Sequence, residues 1–136
     1  MGYCTKEQYE QFLKDVVPFE ENLIKDGIKI FKFWLSITQD VQLLRFEMRQ
    51  ADPLKYWKFS ENDLNSLSKF DKFTLYKETM FKNTSTKESP WVMVNAIDKK
   101  LARLNIIKYI LNACEYDDKN YDLVDNIMPE VIIDMI

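Results

Sequence analysis

Ile28 to Ile37 reads IKIFKFWLSI. The run is rich in β-branched and aromatic residues, is bounded by Gly27 and Thr38, and is too short for an ordinary globular helix, so it predicts a β-strand. Lys29 and Lys32 interrupt its first half. Phe33 to Ile37 is almost continuously apolar, the pattern of a strand buried on both faces of a parallel sheet. A second run of the same type, WVMVNA, spans Trp91 to Ala96. Each is followed at once by a helical pattern, and this alternation predicts an α/β fold of parallel strands with flanking helices, helix-rich overall. Two strands do not make a stable parallel sheet, so either further strands come from elsewhere or the strand count read from these patterns is low.

On the N-terminal side, Thr5 with Gln8 forms a capping-box signature for a helix carrying Tyr9, Phe12, Leu13, Val16, Val17, Phe19, Leu23 and Ile24 at helical spacing. Pro18 within it predicts a kink, or two helices meeting there. Gly27 is expected to end it in a left-handed cap. After the first strand, Thr38 or Asp40 caps a helix whose Val41, Leu43, Leu44 and Met48 face inward, and Asp52-Pro53 ends that helix because a residue preceding proline is pushed out of the helical region. Ser60 with Asp63 is a second capping box. It opens a long amphipathic helix to about Lys82, with Leu64, Leu67, Phe70, Phe73, Leu75, Tyr76, Met80 and Phe81 on its apolar side.

The polar loop NTSTKES, Asn83 to Ser89, leads to the second strand. Asp98 then caps a helix from Lys99 to about Cys114, with Leu101, Leu104, Ile107, Ile110 and Leu111 as its buried stripe. Glu115 to Asp125 is acidic and polar and ends the compact pattern. Ile127 to Ile136 (IMPEVIIDMI) is expected to pack as a final helix, on the core or on another subunit, which leaves a homo-oligomer open. The 136 residues are read as a single domain.

Composition narrows the chemistry. The chain is 46% hydrophobic and 30% charged, and its 19 Lys and Arg against 22 Asp and Glu leave a net charge of −3. No bulk attraction to nucleic acid or a membrane follows, so any anion site is local. Neither is expected as a partner. Histidine is absent, which removes the commonest general base and metal ligand. Cys4 and Cys114 are too few for a disulfide framework and read as reduced thiols of a cytoplasmic protein. With Gly2 and Gly27 its only glycines, the chain has no Gly-rich phosphate loop, and no strand ends in a clear metal-binding Asp. No catalytic residue and no metal ligand is assigned within it.

Two groups of cations remain. Arg45 and Arg49 lie four apart on one helix face and are followed, after the Asp52-Pro53 break, by Lys55 and Lys58. Guanidinium forks and point-charge ammonium groups in such a flap suit phosphate oxygens. The alternative, a solvated helix face with Glu47 and nearby acids as partners, stays open. Lys99, Lys100 and Arg103 open the helix after the second strand, at the sheet edge where α/β proteins bind ligands. Cations there oppose the helix dipole unless an anion is near, although solvated lysines beside a plain Asp98 cap remain an equal alternative. Trp34 and Trp91 read as core. Tyr56 and Trp57 are suited either to stack on a base or to anchor their loop to the body. The NTSTKES hydroxyls suit phosphate or a plain surface loop.

The stretches MGYCT, YEQFLKDVVPFEENLIKDGIKIFKFWLSIT, RFEMRQADPLKYWKFSEND and SPWVMVNAIDKKLARLNIIKYIL together resemble the C-terminal half of the polyphosphate kinase 2 family, from Met1 to about Cys114. The resemblance implies a partial P-loop kinase-like αβα sandwich and Mg²⁺-dependent phosphoryl transfer between polyphosphate and a nucleoside di- or monophosphate. It also implies a helical lid, about residues 45–82. Arg45, Arg49, Asp52, Lys55 and Lys58 match the lid motif, with Asp52-Pro53 as its hinge; Lys99, Lys100 and Arg103 match the segment after the last core strand. Family members carry a Walker A loop and an Asp-Arg-Ser element upstream of the MGYCT-like stretch. The phosphate loop and the Mg²⁺ ligands are therefore expected on a part that precedes this sequence, and the tail 115–136 lies outside the resemblance.

Overall fold

The computed structural model describes residues 3–134. The chain divides into two units, the first formed by residues up to Phe19 with Ile37–Thr84, the second by Glu20–Ser36 with the chain from Ser85 on.

The first division falls inside helix α1 (Lys6–Lys25), just after Pro18. One helix passes through the proline, rather than two meeting there. It ends as its sequence predicts: Gly27 adopts φ +87°, with its N–H on the Ile24 carbonyl at 2.9 Å and the Ile28 N–H on that of Leu23 at 3.0 Å. This paired closure is the Schellman arrangement, which favours a residue without Cβ.

In the second unit, strand β1 (Lys32–Ser36) runs parallel to β2 (Trp91–Asn95), in register from Lys32 opposite Trp91 to Ser36 opposite Asn95. Helix α5 (Lys99–Ala113) follows β2, and a short helix, α6 (Tyr121–Val124), leads to β3 (Ile132–Asp134). β3 pairs with β2 antiparallel, Val94 opposite Ile132, so among the described residues the sheet has three strands in the order β1-β2-β3. The sheet is mixed, not purely parallel. The Ile127–Ile136 segment contributes a strand where a helix was expected; its last two residues lie outside the described residues.

The tail is part of this unit rather than an appendage. Buried Asn105 on α5 accepts from the Met128 N–H at 2.8 Å and donates to the Leu101 carbonyl at 2.9 Å. Lys119 donates to the carbonyls of Asn112 and Cys114 at the end of α5, at 2.7 and 3.0 Å. Val92, Val94, Ala96, Ala102, Val124, Val131 and Ile132 form the core.

Two burial expectations are corrected here. β1 is not buried on both faces at its C-terminal end, since Leu35 is 58% exposed; the strand has a neighbour on one side only among the described residues. The α5 stripe of Leu101, Leu104, Ile107 and Leu111 is exposed, while Ala102 and Asn105 are buried. The sheet takes the face with the small Ala102 and with Tyr109, whose ring meets Phe33 edge-on at 5.6 Å.

The first unit holds α2 (Gln39–Ala51), a single 3₁₀ turn (Tyr56–Lys58), α3 (Glu61–Leu67) and α4 (Phe70–Thr84). Thr38, not Asp40, caps α2, its Oγ1 accepting from the Val41 N–H at 3.3 Å. The inward residue of α2 is Phe46, 7% exposed, whereas Leu43, Leu44 and Met48 are exposed. Phe46 takes this place because its ring packs edge-on against Phe59 at 5.9 Å. The long helix expected from Ser60 to Lys82 is two helices. Ser66 and Ser68 hydroxyls bond the Asp63 and Asn65 carbonyls at 2.7 and 3.1 Å, giving the backbone local alternatives to continued helix. Half of the expected apolar side of this pair, Leu64, Phe73, Leu75 and Tyr76, is exposed, while Phe81 is buried.

Candidate functional site

The first unit holds one cation group, Arg45, Arg49, Lys55 and Lys58. Packing of Phe46 fixes the turn of α2 between Arg45 and Arg49, both half-buried. The Arg49 guanidinium lies 5.5 Å over the Phe46 ring, with Nη1 3.5 Å from Asp63 Oδ1. The other carboxylate oxygen, Oδ2, accepts from the Ser60 N–H at 3.0 Å. One side chain therefore caps α3 and steers the arginine on α2. A guanidinium carries five N–H donors, so this contact leaves most of the fork for an anion.

Asp52 ends α2 in an extended conformation, φ −98° and ψ 111°, as its position before Pro53 requires. Its carboxylate accepts from the Leu54 N–H at 2.9 Å and pairs with the Lys55 ammonium. The Lys55 hydrogen bond first, and the Leu54 amide second, hold the Asp52 carboxyl below the usual range. In the 3₁₀ turn that follows, Lys58 sits 5.1 Å over the Trp57 ring, and the indole N–H donates to the Leu54 carbonyl at 3.0 Å. Trp57 is 75% exposed and Tyr56 63%. These rings do not anchor the loop by burial. Trp57 stiffens the turn locally, and both present open faces beside Lys55 and Lys58.

The second cation group belongs to the second unit. Asp98 caps α5 through the N–H groups of Lys100 and Leu101, at 2.8 and 3.0 Å. Those bonds, the Leu101 amide first, lower its pKa. Lys99, Lys100 and Arg103 are exposed on the opening turns of α5, just past the end of β2, as the strand-to-helix order requires. Lys100 and Arg103 make no ion pair among the described residues.

The model of the family described as Polyphosphate kinase 2 matches residues 1–122. The chain belongs to the polyphosphate kinase 2 family. It is 43% identical over 132 residues to the GDP-polyphosphate phosphotransferase of Mycolicibacterium smegmatis, covering 97% of this chain and 47% of that protein. With the ADP-polyphosphate phosphotransferase 1 of Rhizobium meliloti it shares 41% identity, over 97% of this chain and 44% of the relative. The crystal structure of polyphosphate kinase 2 from Arthrobacter aurescens superposes with a TM-score of 0.76 at 29% identity, over 89% of this chain and 46% of that one. The chain spans a little under half the length of these polyphosphate kinase 2 relatives and corresponds to their C-terminal part. Its α/β architecture with a small mixed sheet is similar to theirs.

Among the described residues no three Cys, Asp or Glu side chains gather into a group that suits a metal ion. The NTSTKES hydroxyls take part in hydrogen bonds within the chain. Ser85 Oγ accepts from the Trp91 N–H at 3.0 Å, Thr86 Oγ1 from the Ser89 N–H at 3.0 Å, and buried Ser89 donates to Glu20 Oε2 at 3.2 Å.

Two features escaped the sequence. Asp63 reads there as a cap alone, because its partner Arg49 lies across the Pro break, where no local spacing reports it. Lys32 reads as an interruption of a strand; it is buried, 2.7 Å from Glu20 Oε2 and 5.6 Å from the centre of the Trp91 ring. Among the described residues, no helix is long and apolar enough to cross a membrane.

Proposed function

We propose that this chain is the C-terminal, lid-bearing part of a polyphosphate-dependent nucleotide kinase with a P-loop kinase-like core. Residues 45–82 form the lid, Asp52-Pro53 its hinge, and Arg45, Arg49, Lys55 and Lys58 its phosphate-facing surface. The observation that carries this reading is the hold on Arg49: Phe46 and Asp63 fix the guanidinium's direction while leaving most of its donors available. Lys55 is paired with Asp52 until an anion competes for it. Lys58 and Trp57 together offer charge and a ring face, suited to a nucleotide or to the polyphosphate chain.

In the reaction so proposed, the terminal phosphoryl group of polyphosphate moves in line to a terminal phosphate oxygen of the nucleotide. One P–O bond of the chain breaks, a new one forms, and polyphosphate shortens by one unit. Lid cations neutralise charge as it shifts between donor and acceptor, and Lys99, Lys100 and Arg103 at the start of α5 are proposed as a second phosphate-binding group. Mg²⁺, when bound, supplies further neutralisation; its ligands and the phosphate loop are proposed to lie in the half of the relatives that this chain does not span. The relatives are named for GDP and for ADP, which supports a nucleoside phosphate as the acceptor; a cytoplasmic location is part of the same proposal.

The test joins the upstream half of the Mycolicibacterium smegmatis relative in frame to residues 1–136 and measures nucleoside triphosphate formed from polyphosphate with ADP or GDP. Synthesis that requires polyphosphate and falls on Arg49→Ala supports the reading. Absence of synthesis in a folded fused chain overturns the catalytic assignment, and retained polyphosphate binding then favours a non-catalytic binding module.

A further inference from the structure

Asn105 is 0% exposed and lies just past Arg103 on α5. Its Oδ1 accepts from the Met128 N–H at 2.8 Å, and its Nδ2 donates to the Leu101 carbonyl at 2.9 Å. The Met128 carbonyl accepts in turn from the Val131 N–H at 2.9 Å, and the Val131 carbonyl from the Asn95 N–H at the end of β2, at 2.8 Å. Asn95 Oδ1 takes the Ile97 N–H at 3.2 Å, and Asp98 Oδ1 takes the N–H groups of Lys100 and Leu101. The hydrogen bonds form a closed circuit, from α5 through the tail turn Met128–Val131 to β2 and back along the β2–α5 turn. Lys99, Lys100 and Arg103 all lie on the arc between Asp98 and Asn105.

We propose that Asn105 is a positioning residue for phosphate binding: by gripping the tail turn Met128–Val131 it holds the opening turns of α5, and with them Lys99, Lys100 and Arg103, against the end of β2. This role rests on the proposed reading of those three cations as a phosphate-binding group. Core filling alone does not call for an amide here, since a buried polar group costs free energy unless its bonds are made and an apolar side chain of similar volume fills the same space. The amide adds a fixed distance and direction. Helix ends fray, and cations in a first turn meet the positive end of the helix dipole. A binding group also needs its members held to within about 0.5 Å. The tail grips α5 again one turn on, where Lys108 Nζ donates to the Asn126 carbonyl at 2.8 Å.

The test titrates residues 1–136 and its variants with polyphosphate at low salt, at a temperature where circular dichroism shows each to be folded. Lys99→Ala, Lys100→Ala and Arg103→Ala together are expected to weaken binding about tenfold, and Asn105→Leu alone about fivefold. Asn105→Leu added to the triple variant should cost nothing more, because Asn105 acts through the residues already removed. Added to Arg49→Ala and Lys58→Ala, it should show its full loss. Asn105→Ser, too short to reach the Met128 N–H, repeats the comparison should the leucine variant not fold. A merely structural Asn105 would lower the unfolding midpoint and leave the affinity of the folded chain unchanged. That result, or losses from Asn105 and the α5 cations that simply multiply, overturns the proposal and leaves the phosphate-binding group standing. Unchanged affinity in the triple variant overturns that group, and the proposal with it.

Discussion

The Lys32 ammonium donates to Glu20 Oε2 at 2.7 Å, with both side chains largely withdrawn from water, and the same oxygen accepts from the Ser89 hydroxyl. One carboxylate thus ties the end of α1 to β1 and to the loop before β2. Removing one partner of such a pair leaves a charge buried alone, at a cost of about 3–5 kcal/mol. Lys32→Met and Glu20→Gln are each expected to destabilise strongly in urea titrations, and the double variant by clearly less than their sum. Additive losses would show that the pair is not coupled.

Asn105 is fully buried and links α5 to the tail through the Met128 N–H. Asn105→Leu keeps the volume and removes the acceptor, leaving an unsatisfied amide at about 1–3 kcal/mol. The tail should loosen before the sheet does. Limited proteolysis near Met128 is expected to accelerate in the variant while Val92 and Val94 amides stay protected.

Gly27 sits at φ +87° with open space where a Cβ would go. Gly27→Ala therefore meets no clash, and its cost is backbone strain alone, about 1–2 kcal/mol. Gly27→Asn should cost less, since Asn tolerates the left-handed region. Equal losses for the two would point to a packing role instead.

The caps were legible in the sequence because they are local: Thr38, Ser60 with Asp63, Asp98 and Gly27 each act within a few residues of themselves. β1 and β2 were legible from β-branched and aromatic density. What stayed hidden depends on partners far along the chain. α5 is apolar on more than one side, so periodicity alone cannot choose between the Leu104 face and the Ala102 face; the sheet chooses. IMPEVIIDMI is as apolar as a helix or a strand needs to be, and the ladder with β2 decides. Arg49 and Asp63, brought together in space, carry no mutual spacing signal. The sequence marks the cations of both groups as candidates but carries no sign of the hold that directs Arg49.

Asp98 gives a pH signature. Its pKa is lowered by the Leu101 and Lys100 amides, so the unfolded chain takes up this proton first on acidification. The stabilisation is complete above the ordinary Asp value of about 3.9 and is lost as the pH falls through the lowered folded value. Asp98→Asn retains a cap and should flatten this acid limb in stability measurements from about pH 7 down to about pH 3. Asp98→Ala should lower the unfolding midpoint at neutral pH as well.

The central claim, that the surface from Arg45 to Lys58 takes polyphosphate, is tested most directly by titrating residues 1–136 with polyphosphate at low and high salt. Saturable binding that weakens as salt screens the charges is expected. The Arg49→Ala, Lys58→Ala double variant should bind about tenfold or more weakly, with its fold unchanged by circular dichroism. Unchanged affinity in that variant, or no saturable binding by the parent chain, would contradict the account.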